Sequence, residues 1–251
     1  MRSIRERLKP KNGVPYVIHV GLNALLPFLL FILMHFDPWF AIILFLISKW
    51  RVLAVKPRYW LPNLRANGID IIIGLSYLEF LNHTSSEVVQ LIFAVLYVIW
   101  LTVIKPRSSG IFIAMQAFFG QFIGLMAIFS FQSSLAPPLV LLIIATWLVC
   151  YLAARHFFTI FDESFASMYS HAWGYFSAAL VWVLGHWLLY YYGTYAQPTV
   201  LLSTIGLGLG SLYYLKENDK LNNQNKKQII MVMIALVFVI VFLSDWSSKT
   251  F

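Results

Sequence analysis

Charge is what this sequence has least of. Only 11% of its 251 residues are Asp, Glu, Lys or Arg, and ten are acidic, whereas a soluble domain carries about a quarter charged residues. Water is thereby excluded as the main solvent. Cysteine is almost missing as well: Cys150 stands alone in the apolar run Leu141 to Leu152. A single thiol excludes an intramolecular disulfide and any multi-cysteine metal centre, and reads as a small buried apolar residue. Long polar linkers are also absent. The longest polar stretch, Lys216 to Lys227, reads as a loop, so the chain is expected to be one domain over residues 1–251.

What is present is hydrocarbon. Apolar residues make up 60% of the chain and the mean hydropathy is +0.76. A soluble fold of this size would have to hide that surface in one core, whereas a bilayer accepts it on every outward helix face. The expected fold class is all-α, a polytopic transmembrane helical bundle.

A span needs about 20 predominantly apolar residues. Nine segments qualify, at approximately 14–36, 38–55, 66–82, 87–104, 109–131, 136–158, 164–192, 198–215 and 228–244. The third is the weakest, because Asp70 and Glu79 bracket only Ile71 to Leu78. The positive-inside rule decides for it. With nine crossings, Lys49, Arg51, Lys56, Arg58, Arg65, Lys105, Arg107, Arg155, Lys216, Lys220, Lys226 and Lys227 share a side with the N-terminal cluster Arg2 to Lys11. Removing the third crossing would throw every later cation out of register. The expectation is an N-terminus inside, a C-terminus outside and an uncleaved first span in the plasma membrane. The formal net charge of +8 is then a topology signal, and no nucleic-acid partner is expected.

Several constellations are candidates for function. The loop Lys49 to Arg65 interleaves Arg51, Lys56, Arg58 and Arg65 with Trp50, Tyr59 and Trp60. At headgroup depth it would attract an anionic lipid or a phosphate-bearing small molecule, with Asp70 as a partner neutralised by Arg58 or Arg65. The same loop also follows from orientation charge and an aromatic belt alone. Asp70 and Glu79 lie nine residues apart, about 13 Å on a helix, too far to act as a paired acid and base. His19, Asn23 and Pro27 recur every four residues on one face of the first span. Pro27 would release a backbone carbonyl near Asn23, as in kinked transport helices, or Asn23 would simply bond across to a neighbouring helix.

Around the seventh span, His156, Asp162, Glu163 and His171 are acid and base candidates for an enzyme acting on a lipid-linked substrate. Their spacing matches no standard zinc motif, and an interfacial cluster with Arg155 is the plainer reading. His171 and His186 are about 22 Å apart along a helix and cannot share a metal. The stripe Glu163, Ser167, Ser170, Gly174 and Ser177 offers small side chains for close helix approach, as do the pairs Gly120 with Gly124 and Gly206 with Gly210. None of the nine apolar cores holds a lysine for a Schiff base, and Gly74-Leu75-Ser76-Tyr77 is not a nucleophile motif. No cofactor or metal is expected.

The functional expectation is noncatalytic transport, lipid handling or scaffolding in the cell envelope. A lipid-directed enzyme and a structural subunit are the alternatives. Expected partners are membrane lipids and, through the small-residue faces, a membrane-protein partner or a second copy of the chain.

Overall fold

The structure is a computed structural model that describes residues 14–135, 138–161, 163–187, 191–192 and 195–243. Among the described residues eleven helices succeed one another: α1 (Val14–Phe36), α2 (Pro38–Ser48), α3 (Trp50–Leu53), α4 (Trp60–Ala66), α5 (Gly68–His83), α6 (Glu87–Ile99), α7 (Gly110–Leu135), α8 (Leu139–Phe157), α9 (Ala166–Trp187), α10 (Gln197–Glu217) and α11 (Asn223–Leu243). A π-helical turn, Trp100–Ile104, ends α6, and 3-10 turns lie at Pro57–Tyr59 and Phe158–Ile160. The one departure from helix and loop among the described residues is a two-residue antiparallel pairing of Tyr191–Tyr192 with Tyr195–Ala196.

Local chemistry sets several of the boundaries. Asp37 alone separates α1 from α2: its carboxylate accepts the Trp39 N–H at 2.9 Å, and Pro38 occupies the first helical position, where its missing N–H costs nothing. Lys49 closes α2 with its backbone N–H on the last carbonyls. Pro27 does not interrupt α1. Its own carbonyl accepts the buried Tyr77 hydroxyl at 2.8 Å, which ties α1 to α5.

Among the described residues, five helices are long and apolar enough to cross a membrane: Glu87–Ile104, Gly110–Ser130, Leu139–Ile160, Gln197–Glu217 and Asn223–Leu243. They mark the chain as membrane-embedded. The apolar stretches Val20–Phe36 and Pro38–Ser48 are shorter.

The segment bracketed by Asp70 and Glu79, α5, occupies the inside of the bundle. Ile69, Ile72, Ile73, Tyr77, Leu78 and Leu81 are all buried, against α1, α2, α6, α7 and α8. A helix packed largely against protein can carry polar residues such as Asp70 and Glu79 near its ends. Glycines admit its neighbours: a Cβ at Gly120 would lie 2.7 Å from Ile69, and one at Gly124 would lie 2.6 Å from Ile72. Gly174 does the same for α9 on α8, where a Cβ would meet the Trp147 backbone oxygen at 3.2 Å. Buried Ser170 and Ser177 beside it turn their hydroxyls onto their own helix, to the Ala166 and Trp173 carbonyls.

Helix ends gather in two sets. In one, Asp70 at the start of α5 joins Lys49 after α2 and Lys105 after the π turn. Gln116 of α7 donates to the Ile104 and Arg107 carbonyls while its oxygen meets His156 of α8. At the opposite end of α5, Glu79 pairs with His83 at 3.3 Å, and Gln90 of α6 donates to the Leu81 and Thr84 carbonyls.

Candidate functional site

Two features stand out, a buried ion cluster and an apolar cleft. The cluster is built on Asp70, in the first turn of α5, where the positive end of the helix dipole favours a carboxylate. Its Oδ2 accepts Lys49 Nζ at 2.6 Å and Lys105 Nζ at 2.7 Å. Lys49 reaches it across the Phe45 ring, 5.4 Å from the centroid. Lys105 is presented by the π turn: its backbone N–H bonds the Trp100 carbonyl five residues back, at 2.8 Å. One extra residue in that turn rotates the following side chain by about 100° relative to a regular α-helix. The Lys49 and Asp70 side chains are only 13% and 11% exposed, whereas Lys105 is 40% exposed.

These partners correct the expectation that Arg58 or Arg65 neutralises Asp70. The Arg58 guanidinium lies over the Tyr59 ring at 4.7 Å and that of Arg65 over Tyr151 at 6.0 Å; Lys56 is exposed. The cause is the path of the chain. After α3 it turns through Pro57–Tyr59 into α4, whose Asn63 amide donates back to the Val52 carbonyl at 2.6 Å, leaving Lys56, Arg58 and Arg65 exposed. The side chains of Arg51 and His19, like all of Asp162, lie outside the described residues. Asn23 is half-buried on α1.

Among the described residues, the acid and base candidates are engaged separately. His156 Nε2 sits 2.9 Å from Gln116 Oε1. His171 Nδ1 is 2.8 Å from its own helix at Ser167, with its ring 4.6 Å from that of Tyr151. Glu163, in the turn between α8 and α9, accepts the Tyr213 hydroxyl and, at 3.0 Å, the Phe165 N–H. Those two donors, the tyrosine first, hold its carboxyl below the ordinary carboxylate range. Among the described residues no three His, Cys, Asp or Glu side chains are grouped to hold a metal.

The cleft lies between α7, α8, α9 and α10, with α11 at its edge, and has a volume of about 1040 Å³. Phe118, Phe157, Trp173, Phe176 and Tyr213 supply much of its wall. Its polar floor is self-contained: the Trp173 indole donates to Gln121 Oε1 at 2.9 Å, and Gln121 Nε2 donates to the Leu202 carbonyl at 3.0 Å. At the rim, the Glu163 contact fixes Tyr213, and the ring of Tyr213 meets Phe158 edge-on at 5.1 Å.

Gly206 and Gly210, expected to bring two helices together, both line this cleft. A Cβ at Gly206 would lie 3.0 Å from the Gln121 amide and 3.2 Å from Trp173, while one at Gly210 would meet nothing closer than Phe157 at 3.8 Å. The glycine of this run that admits a neighbouring helix is Gly208, where a Cβ would lie 2.5 Å from the Met233 sulfur of α11.

Sequence reasoning missed Gln116, Gln121, Trp173, Tyr213 and the convergence of Lys49 and Lys105 on Asp70. A lone amide inside an apolar helix is a signal for a bond to another element, and Gln116 and Gln121 carried it. Comparison with known protein families, curated proteins and solved structures gave no match, so the functional reading rests on the geometry of the chain itself.

Proposed function

We propose that this protein is a noncatalytic lipid-handling protein of the plasma membrane, and that the cleft between α7 and α10 holds the hydrocarbon chain of a membrane lipid. One observation carries the reading. A volume of about 1040 Å³ is walled by aromatic and aliphatic side chains, and its floor groups bond to each other and to the Leu202 carbonyl rather than pointing inward for a polar ligand. Such a wall suits hydrocarbon, which asks for contact area and no hydrogen bonds.

Nine crossings with the N-terminus inside suit the same reading. The gathered ends of α2, α5, α6, α7, α8, α9 and α10 include Lys49, Lys105, Arg107 and Lys216, which the positive-inside rule assigns to the cytoplasmic face. Exposed Lys56, Arg58 and Arg65 would draw anionic lipid to that face. The catalytic alternative draws no support from His156, Glu163 and His171, which are engaged separately.

The test is native mass spectrometry of the protein released from lipid nanodiscs. Wild type is expected to retain a lipid that Gly206→Leu, whose side chain enters the cleft, loses. Equal retention by both would remove the cleft from the account.

A further inference from the structure

We propose that Lys49, Lys105, Tyr97 and Asp70 form a binding site for a phosphate group that carries a P–OH, either inorganic phosphate or a phosphomonoester. The cluster is incomplete by charge. Lys49 and Lys105 bring two positive charges to the single negative charge of Asp70, and a buried excess charge calls for a counterion. Each ammonium has three donors and spends one on Asp70 Oδ2. Lys49 is too enclosed for bulk water to take up the remainder, whereas the more exposed Lys105 opens the cluster to the interface.

It is also incomplete by hydrogen bonding. Among the described residues, the buried Asp70 Oδ1 and the buried Tyr97 hydroxyl have no partner. Tyr97, on α6, approaches the same face of α5: its hydroxyl lies 2.8 Å from where a Cβ on Gly74 would stand, beside the Phe45 ring, and Gly74 is one helical turn beyond Asp70. The unmet set is thus ammonium and phenol donors together with one carboxylate acceptor. A protonated phosphate monoanion matches it, since its unprotonated oxygens accept from Lys49, Lys105 and Tyr97 while its P–OH donates to Asp70 Oδ1. Sulfate, or the phosphodiester of a phosphatidylglycerol headgroup, has no such proton and would set an oxygen lone pair against the carboxylate. A monoanion also brings the cluster to neutrality.

The site does not rest on the cleft, and Gly206→Leu is expected to leave it intact. Purified protein in phosphatidylcholine nanodiscs is titrated with inorganic phosphate and, separately, with sulfate. A parallel set of nanodiscs contains phosphatidic acid or phosphatidylglycerol in phosphate-free buffer. Saturable binding of phosphate or of phosphatidic acid, with sulfate and phosphatidylglycerol at least about tenfold weaker, is expected; which of the two binds tells a soluble ligand from a lipid headgroup. Lys105→Gln is expected to weaken binding about tenfold and Lys105→Arg to retain it. Asp70→Asn is expected to abolish discrimination against sulfate. If that variant fails to fold, the Lys105 pair decides. No saturable binding from either source, equal binding of sulfate, or unchanged binding in Lys105→Gln would overturn the site.

Discussion

Around α5 the molecule buries charge, with Asp70 held between Lys49 and Lys105, whereas between α7 and α10 it encloses a space bounded almost entirely by hydrocarbon. The first region is held by a few strong contacts, each dependent on its partner's presence. The second is held by shape, and its polar floor, Gln121 with Trp173, is closed upon itself. Removing one charge around α5 should therefore propagate into stability, while filling the cleft should change what binds and leave the fold standing.

The largest effect is expected from Asp70→Ala, which strands the ammonium of Lys49 beside Phe45. Breaking a buried pair from one side costs about 3–5 kcal/mol, and the lower end applies because the 40%-exposed Lys105 stays hydrated. Thermal unfolding in nanodiscs reads it, and a melting temperature equal to wild type would erase the contrast between the two regions. Gly124→Val comes next. Its Cβ would stand 2.6 Å from Ile72 and 3.0 Å from Val149, so overpacking of about 1–3 kcal/mol is expected in the same measurement. Trp173→Phe takes the indole donor from Gln121 but keeps an aromatic wall, for a loss of about 1 kcal/mol. A cost as large as that of Asp70→Ala would mean that the cleft floor is the stronger anchor.

The smallest effect is a pH dependence at the rim. Because the folded state holds the Glu163 carboxyl below its ordinary value, the contact with Tyr213 contributes fully above the ordinary carboxylate range. It is lost as pH falls through the lowered value. Protection of the Phe165 amide against hydrogen exchange, taken relative to its intrinsic rate at each pH, should hold through mildly acidic pH and fall only below the ordinary range. In Tyr213→Phe the change should move upward, and a transition unmoved by that substitution would detach Glu163 from Tyr213.

How much of this was legible in the sequence differs by region for a physical reason. The helical, membrane-embedded character followed from apolar runs such as Leu139 to Leu152, because lipid contact is an average over many residues. Its detail was harder to read. α5 carries Asp70 and Glu79 and packs mostly against protein, with Leu75 left exposed, and hydropathy alone does not report such packing. Asp70 was recognisable as a residue in need of a cation, yet the nearest arginines in sequence were the wrong ones. The lysine that meets it from α6 depends on a π turn at Trp100–Ile104, a change of helical phase that no side-chain pattern announces. The spacing of Gly206 and Gly210 suggested a helix crossing, but a missing side chain serves equally to open a cavity, and only the neighbouring helices decide which.

Hydrocarbon in the cleft can be caught by photo-crosslinking with a lipid whose chain carries a diazirine, followed by mass spectrometric mapping of the labelled peptides. Label is expected on Phe118, Trp173 and Phe176 and is lost in Gly206→Leu, with the outward α11 residues Phe238 and Phe242 labelled equally in both proteins. Label confined to those outward faces, which any bilayer lipid touches, would contradict occupancy of the cleft.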